Sequence, residues 1–303
     1  MMFTLKRNWK YILILLICLI IMIVNFFSNT NMSWILKEAI FNPEYRVEWF
    51  ANPEYQANYV RINGSMAGFD EMSKSVFTIF KDVIYNAQFS FDVSVIFSTI
   101  WFQIIIPLFT VVSGIEFYKS FHSIFQLRLH NKKRYRETII KEIMLNALKL
   151  AGAIFVAYFI FLIFAYFAEN SGKLGADGRS LFSDLLGNEF YINHTFIYFV
   201  LEGLVRFFIV PFVYATLSQS VVLLGKDLKE VIAAPILYYY GLSAVGFALY
   251  LLVPSIAIYL NPSLIMASGS YEGYNSLLMI AINSLPLVIA FIIIFVRTRH
   301  VEV

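Results

Sequence analysis

Six apolar runs, each on the scale of a bilayer's hydrocarbon, constrain this chain more than any other feature. They cover residues 11–27, 93–114, 150–167, 196–224, 231–252 and 277–296. A helix advances about 1.5 Å per residue, so about 20 mostly apolar residues cross the membrane core. In lipid the backbone must satisfy its own polar groups, and runs of this length do so as helices. The expected fold is all-α: one polytopic membrane domain over residues 1–303 with six transmembrane helices. With 59% hydrophobic and 14% charged residues and a mean hydropathy of +0.71, the chain lies far from ordinary soluble domains. Pro211, in the middle of the long fourth run, is a physical cause for a bend there.

The positions of Lys and Arg orient these spans, because cytoplasmic connectors are enriched in both. Fifteen of the 23 fall on one side: Lys6, Arg7 and Lys10, eight from Lys119 to Lys149, Lys226 and Lys229, and Arg297 and Arg299. Seven fall on the other side, five of them in the long 28–92 loop, which carries little topological weight. Both termini are therefore expected in the cytoplasm. The run 11–27 exceeds a signal-peptide core, and Asn25-Phe-Phe-Ser-Asn-Thr30 offers no small-x-small cleavage site, so it reads as an uncleaved first span.

Outside the membrane the largest segment is the outer loop 28–92. Within it Phe69, Met72, Val76, Phe77, Phe80, Val83 and Ile84 recur mostly at steps of three and four, predicting an amphipathic helix. It would pack on the span ends or the membrane surface, or act as a lid. On the cytoplasmic side the 115–149 loop begins with a short amphipathic segment, 116–126. Residues 127–136 then include Arg128, Lys132, Lys133, Arg134 and Arg136, and a helical pattern resumes over 134–147. A surface helix, a basic turn and an entering helix are expected. Attraction to anionic lipid explains the charge but not the amphipathic segment. The stretch 254–270 is apolar for an outer loop and can dip back into the bilayer where helices cover its backbone.

Glu202 and Arg206 stand four residues apart inside the fourth run, on one helix face. Either alone would be costly in hydrocarbon, so they are expected to pair, as a structural ion pair or as part of a translocation path. Catalytic patterns are otherwise missing from the sequence. The lone Cys18 excludes an intrachain disulfide, and His122, His130, His194 and His300 never form a metal-binding pair. Gly225-Lys226-Asp227 lacks the first glycine and the hydroxyl of a P-loop. No cofactor, no metal and no nucleic-acid partner is implied.

Taken together, six spans, cytoplasmic ends, an amphipathic segment after the second span and a basic turn into the third resemble the ABC type-2 permeases. The resemblance is carried by Ile106-Pro-Leu-Phe-Thr-Val-Val-Ser-Gly-Ile-Glu-Phe117 and Lys132-Lys-Arg-Tyr-Arg-Glu-Thr-Ile-Ile-Lys-Glu-Ile143. These are similar to that family's junction of second span, coupling loop and third span. Asn261-Pro-Ser-Leu-Ile265 is similar to a segment seen after the fifth span. The resemblance covers the topology but only these short stretches of sequence, and the first outer loop is longer than in the shortest members.

It implies the membrane subunit of a bacterial plasma-membrane exporter, not itself an enzyme. Two such chains, identical or different, would associate in the lipid with two separate ATP-binding cassette subunits. They would move a peptide, antibiotic or lipid-like substrate out of the cell. ATPase coupling would then fall to 116–136, with Tyr118, Phe121, Phe125, Lys132, Lys133, Arg134, Tyr135 and Arg136 as candidate contacts. Two other classes compete. One is a nonenzymatic membrane sensor or immunity protein that binds a ligand through 28–92. The other is a membrane-embedded enzyme using Glu202 and Arg206, with His194, which beside Asn193 reads as an interfacial residue, as a further candidate.

Overall fold

The computed structural model describes residues 2–29, 91–130, 132–168, 182–225, 227–266 and 275–299, with a few isolated positions between 44 and 66. The helix expected over 69–84 lies outside the described residues. Among those described the regular structure is helical throughout, with no strand. Six helices are long and apolar enough to cross a membrane: Asn8–Phe27, Phe102–Phe121, Lys133–Phe167, Thr195–Val222, Leu228–Tyr250 and Ser276–Arg299. The protein is a multi-pass membrane protein.

The second and third spans depart from the expected boundaries. A separate short helix, Phe91–Thr99, precedes a turn at Ile100 and Trp101, and the second spanning helix starts at Phe102. That helix then runs 29 residues to His130, and the next runs 37 residues from Lys132 to Ala168. At 1.5 Å per residue they measure about 43 and about 55 Å, well beyond a hydrocarbon core of about 30 Å. Residues 116–130 thus continue the second span rather than forming a separate surface helix. The reason is local: no Gly or Pro stands between Ile115 and His130 to interrupt the ladder.

By packing the chain divides into two compact units. The first comprises Met1–Met22, Thr99–Leu162 and Ala176–Val303. Its core is the second half of the fourth span, Val210–Val222, buried at nearly every position and surrounded by the second, fifth and sixth spans. Small residues permit the close approach. A Cβ on Gly114 would lie 2.1 Å from Ser218 Oγ, and Ser113 Oγ is 3.4 Å from the Ala215 carbonyl that it faces. At the end of this helix Val221, Val222 and Leu223 pack with Phe117, Tyr135, Ile139, Ile143, Val231 and Ile294. The start of the first span joins the same end through an ion pair of Lys10 with Glu116. The span ends flanked by lysine and arginine therefore gather together, as the alternation of charge requires.

Prolines inside spans remove backbone donors, and at two of them, Pro107 and Pro235, a neighbouring hydroxyl faces the carbonyl left open. Pro107 cannot donate to the Gln103 carbonyl one turn back, and Tyr239 Oη donates to it at 2.7 Å. Pro235 likewise frees the Val231 carbonyl, toward which Ser218 Oγ points at 3.4 Å. Pro211 follows a π-helical turn, Leu204–Ile209, where Val210 N–H bonds five residues back to Val205 O. The expected bend thus takes the form of a widened turn just before the proline. The stretch after the fifth span folds as two short helices, Pro254–Leu260 and Pro262–Met266, and Ala257, Pro262, Ile265 and Met266 are buried.

The second unit comprises Ile23–Ser98 and Ile163–Gly175. Its described part is held by aromatic contacts. Phe26 meets Phe164 edge-on at 5.4 Å, Phe91 meets Tyr166 at 5.8 Å, and Asn25 Nδ2 donates to the Ser98 carbonyl at 3.3 Å.

Candidate functional site

The π turn of the fourth span brings the two intramembrane charges together. Arg206 Nη2 lies 2.7 Å from Glu202 Oε1, with side chains only 4% and 1% exposed. Arg206 Nε donates a second bond, 3.0 Å, to the carbonyl of Ile265. Ile265 belongs to the short helix Pro262–Met266, whose last carbonyls lack intrahelical donors. A fixed cation therefore sits between a carboxylate on its own helix and a helix C-terminal carbonyl on the stretch after the fifth span, both favourable partners for a guanidinium.

Tyr158 of the third span closes the other side. Its ring stacks on Phe207 at 4.3 Å, and its hydroxyl donates to the Phe199 carbonyl at 2.9 Å. The ring can lie this close because residue 203 is glycine, where a Cβ would come 2.0 Å from Tyr158 Cε1. Phe102 meets the far edge of Phe207 at 5.6 Å. Three spanning helices, the second, third and fourth, and the stretch after the fifth thus meet at one turn of the fourth helix. Chemically the arrangement is a locked electrostatic joint: the guanidinium is tied on two sides and the carboxylate is almost wholly buried. His194, proposed above as a partner for these charges, is exposed at the start of the helix and rests against Phe190 at 5.2 Å. Among the described residues no group of three or more His, Cys, Asp or Glu is placed to hold a metal.

The sequence also singled out the basic turn between the second and third spans, and its residues have divergent surroundings. Lys133, Arg134 and Arg136 are exposed, Tyr118 is 38% exposed, and Phe121 is half-buried against Phe117 at 5.8 Å. Tyr135 instead points into the apolar cluster around Val222 and Ile143, so it anchors the turn and offers no surface contact. Arg136 leans over the Phe295 ring of the last span at 5.8 Å, and Arg299 approaches the same ring at 5.4 Å. The side chains of Phe125 and Lys132 lie outside the described residues.

Comparison with protein-family models, with curated proteins and with solved structures gave no match. The functional reading therefore rests on the sequence and this geometry. Tyr158, Gly203 and the Ile265 carbonyl complete the intramembrane site, and sequence reasoning joined none of them to Glu202 and Arg206. Only a Gly one residue after Glu202 signalled a close approach.

Proposed function

We propose that this chain is the membrane-spanning permease subunit of an ATP-driven exporter of the ABC type-2 kind, in a bacterial plasma membrane, with the basic end facing the cytoplasm. One observation carries the reading. Two helices longer than the hydrocarbon core meet at a basic turn bearing exposed Lys133 and Arg134, and their bases clamp the end of the central fourth span through Phe117, Tyr135, Ile139 and Ile143. A partner that pushes on the turn moves these long helices, and they transmit the motion to the helix that carries Glu202 and Arg206. Gln219 of that helix reinforces the clamp, donating at 3.1 Å to the Ile143 carbonyl.

A hydrophobic membrane chain with no phosphate-cradling loop needs its energy from elsewhere, which a separate ATP-binding cassette subunit supplies. Closure of that subunit would rock the second and third spans between inward and outward access. A second copy or paralogue would complete the pathway. The chain itself performs no chemistry in this reading, and the exported compound is peptide-like, an antibiotic or lipid-like. The test is copurification and transport. Tagged chain extracted in mild detergent should bring down an ATPase subunit, and reversing charge at Lys132, Lys133, Arg134 and Arg136 should release that subunit and stop export. Absence of an ATPase together with unchanged transport after charge reversal would refute the proposal.

A further inference from the structure

A cleft of about 200 Å³ opens between the beginning of the third span and the end of the sixth. Its walls are apolar: Ile140, Ile143, Met144, Phe291 and Ile294. Its rim is not. Arg136 lines it directly, and Arg136 and Arg299 both lie over the ring of Phe295, itself a lining residue, so two guanidiniums share one aromatic ring beside the cleft. Thr298 adds a hydroxyl there, which turns back to the Ile294 carbonyl at 2.7 Å.

Both arginines are at the basic ends of their helices, the side on which anionic headgroups attract cations. Neither forms an ion pair among the described residues. An apolar slot under a pair of cations at that depth matches one amphiphile in shape and charge. We propose that this cleft binds an anionic phospholipid from the leaflet on the basic side, one acyl chain lying along Met144 and Phe291 and the phosphate bridging Arg136 and Arg299.

The inference stands on membrane embedding and the cleft alone, and it does not depend on the exporter reading. Generic attraction of basic residues to anionic lipid would spread over all exposed cations. A built site concentrates it on two of them and adds a steric requirement.

Native mass spectrometry of the purified full chain, loaded with either dioleoyl phosphatidylglycerol or dioleoyl phosphatidylcholine, tests this. The wild type should retain the anionic lipid over the zwitterionic one on the order of tenfold. The R136Q/R299Q variant should bring the two lipids near parity, whereas K133Q/R134Q, with the same loss of charge outside the cleft, should keep the preference. Met144→Trp, which fills the slot, should lower retention of both lipids. Millimolar inorganic phosphate should not displace the bound lipid. The proposal is overturned by equal retention of both lipids in the wild type, by an unchanged preference in R136Q/R299Q, or by an equal loss in K133Q/R134Q. Displacement by free phosphate together with undiminished binding in Met144→Trp would identify a simple anion site instead.

Discussion

The fourth and fifth spans are both continuous apolar runs in the sequence, yet they occupy opposite environments. From Val210 to Val222 the fourth is enclosed on nearly all sides, and it carries Thr216, Ser218, Gln219 and Ser220 in full burial. The fifth turns Leu237, Val245, Phe247 and Tyr250 outward, with Phe247 70% exposed. The difference shows how the bundle distributes polarity. A polar side chain facing lipid costs several kcal/mol unless matched, so the enclosed helix is where such groups are placed. There they find partners: Gln219 bonds the Ile143 and Ala215 carbonyls, Thr216 bonds Phe212 O, and Arg206 bonds Glu202 and Ile265. The fifth span gives the lipid an apolar outer face and turns only Val231, Pro235, Tyr239 and Gly246 fully into the interior.

If enclosure is what separates the two helices, substitutions in them should differ sharply. The largest effect is expected for Arg206→Met or Glu202→Leu alone, each leaving a buried charge without its partner and costing about 3–5 kcal/mol. Thermal unfolding in detergent should register the loss, and the paired E202L/R206M variant should recover most of it. Near-neutral single variants would mean that water reaches the pair, and the contrast with the fifth span would collapse. Next comes Gly203→Ala, which drives a methyl into the Tyr158 ring and should cost about 1–3 kcal/mol, read in the same unfolding assay.

Tyr239→Phe sharpens the boundary between the two environments, because it strips the donor from the Gln103 carbonyl that Pro107 leaves open. About 0.6–1.7 kcal/mol is expected, shrinking in a Pro107→Ala background where the new backbone N–H serves that carbonyl. An equal cost in both backgrounds would deny the compensation. The smallest effect belongs to the outer face: Leu237→Ala and Phe247→Ala should each change stability by less than about 0.5 kcal/mol. A larger loss there would show that a second protein chain, rather than lipid, covers the fifth span.

Much of the architecture was legible in the chain. Six spans follow from apolar length, the Glu202–Arg206 pair from its spacing of four, and the irregularity of the fourth span from Pro211. Legibility fails where the deciding partner is distant in sequence. The helix break at Ile100 and Trp101 has no Gly or Pro to announce it. Tyr135 read as a surface aromatic in a basic turn, but packing against Val222 and Ile294 turns it inward. The pairing of Tyr158 with Gly203, of Tyr239 with Pro107's lost bond, and of Arg206 with Ile265 each joins residues separated by tens of positions or more. Periodicity along one helix carries no record of which neighbour it will meet.

The central claim is that the basic turn between the second and third spans faces the cell interior, within reach of a nucleotide-driven partner. Single-cysteine labelling tests it most directly. With Cys18 replaced by Ser, an Arg134→Cys chain should resist a membrane-impermeant maleimide in intact cells and react with it once the cells are permeabilised. Rapid labelling in intact cells would place that turn outside and contradict the account.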